Sequence, residues 1–204
     1  MKNILIHCAK AKEGEIIAKK KKNKKNIEDK IYATYKGKIK ETEINLVITG
    51  IGKQKTAIGL TKYLCENEKP EIIINIGYAG STSAEIGKWV NISKSYNLEW
   101  HIPGEEKYSM NDFGNEELEK IEGLEKLPCY SSETFVTKTD IKEKVIFDME
   151  LHSVSIIADM YKIKLLSLKK ISDNLNMNDY YKNIKTENIM ELESSIPYIE
   201  KYIK

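Results

Sequence analysis

The sequence predicts a three-layer α/β domain with a central mixed β-sheet flanked by helices. Three observations carry this. Short β-branched apolar runs recur along the chain, led by Ile72-Ile73-Ile74; uncharged runs of this length between polar flanks suit strands buried on both faces. Segments with apolar residues at helical spacing separate them, such as Ala57, Leu60 and Leu64. An early pair of runs joined by a short turn reads as a hairpin, which makes the sheet mixed. A chain of 204 residues can bury a sizeable core. No repeat, low-complexity tract or linker divides it, so the expectation is one domain over residues 1–204.

The elements follow in order. Asn3 to Cys8 (NILIHC) reads as a first buried strand. A turn at Ala9 to Lys12 leads into a helix beginning at Glu13, whose acidic start suits the helix dipole. Lys19 to Lys25 (KKKKNKK) suits the solvated C-terminal end of that helix better than a nucleic-acid or membrane patch. Ile31 to Ile39 and Glu43 to Thr49 form the hairpin. Gly50-Ile51-Gly52-Lys53 resembles part of a phosphate loop but lacks the Walker spacing. Lys55 to Asn67 is a helix. Ile72 to Ile74 then open the central strand, which is expected to end in a sharp turn at Gly77-Tyr78-Ala79-Gly80.

Ile86 to Ser93 is the next strand. Residues 95 to 128 read as irregular, with a short helix near Glu116 to Ile121. Cys129 to Val136 reads as a strand, Met149 to Ile163 as a helix, and Lys164 to Ile171 as the last strand, leading into Ser172-Asp173-Asn174. From Asp179 to the end the spacing of Ile189, Leu192, Ile196, Ile199 and Ile203 predicts one long helix kinked at Pro197.

Composition narrows the function. The net charge of +2 points to neither a nucleic-acid binder nor an acidic tail. All 33 basic residues are lysine, so the chain lacks the planar fork that grips phosphate or carboxylate with two bonds. Cys8, Cys65 and Cys129 are widely spaced and read as reduced thiols of a cytoplasmic protein. No apolar run is long enough to span a membrane, and the first residues lead straight into a strand with no signal peptide. No ligand cluster predicts a metal, and no cofactor is implied. His7 and His101 read as structural or solvated, and His152 as helix surface.

Four features fall at strand ends or loop mouths, where ligands of α/β sheets bind: Glu13, the Gly77–Gly80 turn, the Asp148-Met149-Glu150 triplet and Asp173. Each is weak singly, because an acidic residue beside a strand or helix end is commonly a cap. Lys169, Ile171 and Asp173 share one strand face by the two-residue period, which aims Lys169 toward the same pocket.

In order and spacing these features resemble the nucleoside phosphorylase and nucleosidase superfamily, most closely its methylthioadenosine/S-adenosylhomocysteine nucleosidase branch. ILIHCAKAKEGEII is similar to that family's first strand and acidic loop, TGIGKQKTAIGL to its glycine turn and helix, and KPEIIINIGYAGS to its central strand. ETFVT is similar to the segment covering the base, and FDMELHSVSIIADMYKIKLLSLKKISDN to the Met-Glu helix and the strand ending in Ser-Asp. The resemblance runs from about residue 3 to 176 and is weakest over 95 to 128.

The resemblance implies a phosphorylase-like fold and a role for each matching residue. Asp173 would protonate purine N7, and Glu13 would deprotonate the water attacking C1′. Glu150, beside Asp148, would hold ribose hydroxyls, with Met149 packed on the sugar. Phe135 would stack on the base and the Val136 backbone would read its edge. Breaking an N-glycosidic bond passes through an oxocarbenium-like state, for which two carboxyls flanking the bond are a suitable pair.

The family's small hydroxyl residue in the glycine turn is Tyr78 here, and its arginine before the aspartate is Lys169. The leading expectation is a purine nucleosidase acting by water, as a homodimer with Trp100 and Ile102 as apolar anchors, with no nucleic-acid or membrane partner. A purine nucleoside phosphorylase, with Lys53 or Lys169 holding phosphate, is one alternative. A non-catalytic nucleoside-binding protein is the other.

Overall fold

The computed structural model describes residues 3–10, 13, 27–28, 31–108, 118–185 and 192–203. Among these, nine strands join one mixed sheet: β1 (Ile4–Cys8), β2 (Ile27–Glu28), β3 (Ala33–Ile39), β4 (Thr42–Ile48), β5 (Ile72–Ser81), β6 (Trp89–Asn97), β7 (Glu125–Ser131), β8 (Ile146–Asp148) and β9 (Lys164–Asp173). The helices are α1 (Lys53–Glu66), α2 (Leu151–Met160), α3 (Met177–Lys185) and α4 (Ile196–Ile203).

The β-branched runs form the middle of the sheet, as their composition predicts. β1 pairs in parallel with β4 on one side and β5 on the other, and β3 returns antiparallel on β4 as the hairpin. Alternate residues of β1 and β5 serve two cores. Leu5 and Ile73 pack in a cluster with Leu60 and Tyr63 of α1 and with Val154 and Ile157 of α2. Ile4, Ile6, Ile72 and Ile74 pack in a second cluster with Leu192 and with Ile199 of α4. Burial on both faces explains why these strands carry no polar alternation.

One feature lies beyond a simple layered reading. β5 pairs with β8 and β9 as well as β1, and β8, β7, β6 and β9 pair in turn. Five strands therefore close into a circuit, and the ends of β5, β8 and β9 meet at one rim.

Several local expectations change. Gly77 to Gly80 is no turn: β5 runs on to Ser81, and neither glycine has a positive φ. Residues 95 to 128 are less irregular than expected, since β6 reaches Asn97 and β7 begins at Glu125. Leu118 to Ile121 is not helical; Glu119 bridges to Leu166, and residues 116 and 117 lie outside the described set. The strand expected over Cys129 to Val136 ends at Ser131, so residues 132 to 136 form a loop over the rim.

Of the expected C-terminal helix the described residues show α3, a 3₁₀ turn at Leu192–Ser195 and α4; residues 186–191, with Ile189, lie outside the described set. Pro197 sits in the first turn of α4, where its missing N–H costs nothing, and does not kink a longer helix. The helix expected from Glu13 and the lysine run 19 to 25 lie outside the described residues, except for Glu13 itself. No helix among the described residues is long and apolar enough to cross a membrane.

Candidate active site

The rim where β5, β8 and β9 end encloses a cavity of about 340 Å³. That lies within the range of small-molecule sites, about 300–1,000 Å³. Its walls include Glu13, Tyr78, Phe135, Val136, Asp148, Met149, Glu150 and Asp173, together with Lys10, Ile51, Ser172, Tyr180, Tyr181 and Ile184. Residues from seven separate stretches of sequence therefore converge on one space.

Asp173 is placed by a bulge. Ala79 pairs with Ile171 but Gly80 pairs with Asp173, so Ser172 is an extra residue in β9. A bulge re-aims the side chains beside it, and both Ser172 and Asp173 line the cavity. Ser172 Oγ donates to Asp173 Oδ2 at 2.7 Å, and the Asn176 amide donates to Oδ1 at 3.2 Å. Burial raises the Asp173 carboxyl above the usual aspartate range, against the lowering effect of these bonds. Gly80 makes room for it: a Cβ there would lie 3.0 Å from Asp173 Oδ1.

Glu13 and Gly77 meet on the other side of the cavity. The Lys10 amide donates to Glu13 Oε2 at 3.0 Å. A Cβ on Gly77 would stand 4.0 Å from that oxygen and 3.6 Å from Lys169 Nζ. Neither glycine of the Gly-Tyr-Ala-Gly stretch makes a turn: Gly80 serves close approach, while a Cβ on Gly77 would stand in ordinary contact. Glu13 is almost fully buried, and burial raises its carboxyl.

Glu150 and Asp148 stand at the end of β8 and the start of α2. Glu150 Oε1 accepts the Gly52 amide at 2.9 Å. Gly52 takes φ 102 as the residue capping α1, a conformation that favours glycine, so the Gly-Ile-Gly motif presents an amide to this carboxylate. Burial first and the Asp148 charge second push Glu150 up to about 7. Asp148 Oδ1 accepts Ser131 Oγ at 2.5 Å, and Oδ2 accepts the Leu151 amide at 2.9 Å. Lys169 Nζ completes this shell at 2.7 Å from Oδ2. Burial opposes the charge on both partners, yet their attraction outweighs it: Asp148 is held below and Lys169 above its ordinary range.

The sequence model of the phosphorylase superfamily matches residues 3–193. The chain belongs to the phosphorylase superfamily. A 5′-methylthioadenosine/S-adenosylhomocysteine nucleosidase of Buchnera aphidicola is 28% identical over 87% of this chain and 86% of its own. The Neisseria meningitidis enzyme of that name, solved with methylthio-immucillin-A, is 17% identical with a TM-score of 0.82, over 100% of this chain and 99% of that one. A futalosine hydrolase mutant of Helicobacter pylori is 15% identical with a TM-score of 0.82, over the same shares. At these identities the solved structures establish the shared fold.

As a phosphorylase-superfamily chain, it brings together nearly every residue its sequence nominates. Glu13, Tyr78, Phe135, Val136, Asp148, Met149, Glu150 and Asp173 all line one cavity. Lys169 does not: it lies beneath the wall, fully buried, with its charge given to Asp148. Lys169 and Ile171 lie two apart on β9 as the period requires, but neither lines the cavity, because the extra residue Ser172 breaks that period before Asp173. Asp148 lines the cavity, but both of its oxygens already hold protein donors.

His152 is not on the helix surface. It is 1% exposed, with Nδ1 3.3 Å from Ser95 Oγ, and burial lowers its pKa to about 4. His7 is also buried, bonded to Thr49 at 2.8 Å and Asn75 at 3.0 Å, and held neutral with a pKa near 3 chiefly by burial.

Sequence reasoning missed Lys10 and the residues of α3. Lys10 Nζ donates to Tyr180 Oη at 2.5 Å, and the Tyr180 ring packs 5.3 Å from that of Phe135. Lys10 stands three residues before Glu13 in a polar loop, and Tyr180 lies beyond the last recognisable motif; neither position carries a local signal.

Proposed function

We propose that this chain is a single-domain purine nucleosidase: it cleaves the N-glycosidic bond of a methylthioadenosine- or S-adenosylhomocysteine-type nucleoside with water and releases the free base. The observation that carries the reading is the placement of two buried carboxyls, Asp173 and Glu13, on one cavity from opposite ends of the sequence. The superfamily membership and the names of the relatives support it.

Asp173, raised by burial, holds a proton for purine N7 as the C1′–N9 bond breaks and its electron pair moves to the base. Glu13 takes a proton from the water that bonds to C1′. Glu150 accepts ribose hydroxyls, Met149 packs on the sugar, Phe135 stacks on the base and the Val136 backbone reads its edge. Asp148 positions Glu150 and Lys169. Tyr78 occupies the wall beside the attacking water. A half-enclosed site of this kind strengthens charge interactions that develop as the bond breaks.

The electrostatics favour water over phosphate. A phosphorylase must hold a doubly charged anion beside C1′. Here that side carries Glu13 and Glu150, Lys169 is neutralised by Asp148, Lys53 is bonded to Glu99 and Asn97, and the Lys10 ammonium is carried to Tyr180 of α3. Base release from 5′-methylthioadenosine in phosphate-free buffer tests the reading. Release that requires phosphate and yields a sugar 1-phosphate overturns it, as does absence of release from both this compound and S-adenosylhomocysteine.

The reading includes a cytoplasmic homodimer. Ile102 is 40% exposed, Ile51 is 44% exposed at the cavity, and the Trp100 indole nitrogen is buried with no hydrogen-bond partner among the described residues. These are features of a surface completed by a second copy.

A further inference from the structure

Resting on the hydrolase reading above, we propose that Lys10 makes the 5′ side of the cavity a receptor for an anion, so that the preferred substrate is a purine nucleoside whose 5′ arm ends in a carboxylate. The cavity is otherwise acidic, and Lys10 is the one basic residue among its described walls. Its ammonium is shared with a neutral group, donating to Tyr180 Oη at 2.5 Å and lying 5.2 Å from the centre of the Tyr180 ring. Lys169 and Lys53 each hold a carboxylate in direct contact, whereas among the described residues Glu13 and Glu150 act on Lys10 through their charge. An ammonium has three donors, and Tyr180 takes one. A half-buried cation in this state has donors left for an incoming anion, and charge-assisted bonds to it are strong and short.

The position identifies which part of the substrate meets it. Asp173, Ser172 and Phe135 mark the base end, Met149 and Glu150 the sugar. Glu13, held by the Lys10 amide, marks the attack side. From there the Lys10 side chain runs to α3, where Tyr180, Tyr181 and Ile184 line the cavity and Tyr181 is 50% exposed at its opening. A 5′ arm leaving the sugar toward solvent follows this wall. Its linker meets aromatic and aliphatic surface, and its end meets the Lys10 ammonium. A neutral methylthio group uses the wall alone.

The test compares base release from 5′-methylthioadenosine, which has a neutral arm, with release from S-adenosylhomocysteine and futalosine. The last two carry an amino-acid and an aryl carboxylate, and their relative rates distinguish the two sources. In the wild type, kcat/KM for a carboxylate arm should exceed that for the neutral arm. Lys10→Met should cut that ratio about tenfold or more, the scale of one charge-assisted bond, chiefly through KM. Added salt should raise KM for the carboxylate substrate as it screens the contact. A ratio that Lys10→Met leaves unchanged overturns the proposal while leaving the hydrolase intact. If no compound is cleaved, the hydrolase reading falls, and calorimetric binding of the same compounds decides for Lys10: equal affinity of wild type and Lys10→Met for both carboxylate compounds overturns it.

Discussion

The Lys169 ammonium lies 2.7 Å from Asp148 Oδ2, and the two side chains are 2% and 0% exposed. The pair joins β9 to the end of β8 directly beneath the candidate active site. A buried ion pair adds little net stability over apolar residues, but leaving one member alone is costly.

Lys169→Met should therefore destabilise the fold by about 3–5 kcal/mol, measured by urea denaturation. Asp148→Asn combined with Lys169→Met should be less damaging than the sum of the two single variants. Additive losses would mean that the pair is not coupled.

Asp173→Asn should lower kcat by about 10² or more, the scale of a lost general acid, with the melting temperature nearly unchanged. Glu13→Gln should behave alike through loss of the base. A folded, fully active variant at either position removes that residue from the mechanism.

Glu150 predicts a pH dependence of stability. Its ordinary value is 4.5 and its folded value about 7. The folded protein thus binds this proton more tightly than the unfolded chain. Its contribution is fully present below about 4.5 and is lost as pH rises to about 7. The melting temperature of Glu150→Gln relative to wild type should rise across that window. A flat difference would show that Glu150 titrates normally.

Gly80→Ala would bring a methyl group to 3.0 Å from Asp173 Oδ1. The carboxyl must give way, and small misplacements of a reacting group cost up to about 10² in rate. We expect kcat to fall at least about tenfold, with far-ultraviolet circular dichroism unchanged. Retained activity would show that Asp173 tolerates displacement.

Sedimentation at micromolar concentration should give twice the chain mass, and Ile102→Asp should shift it toward the monomer. A wild-type chain that sediments as a monomer removes the dimer.

Much of the fold was legible. Apolar β-branched runs such as Ile72 to Ile74 are readable because a strand buried on both faces leaves no place for charge. The 3₁₀ turn before α4 was not, because the helical spacing of Ile196, Ile199 and Ile203 continues that of Leu192. The buried His152 escaped because its polarity suggested an exposed face, whereas α2 is enclosed on nearly every side.

The sequence by itself determined the chemical cast: the acidic residues Glu13, Asp148, Glu150 and Asp173, the aromatic Phe135, and the absence of arginine. Residue type and order are local properties, and motifs record them. Only the tertiary structure decided how their charges are shared. It gave Lys169 to Asp148, set Lys10 against Tyr180, and made Gly80, expected in a bend, space for a carboxyl. Those outcomes depend on distances of a few ångströms between strands far apart in the chain. A bulge at Ser172 changes them, and no spacing in the sequence announces it.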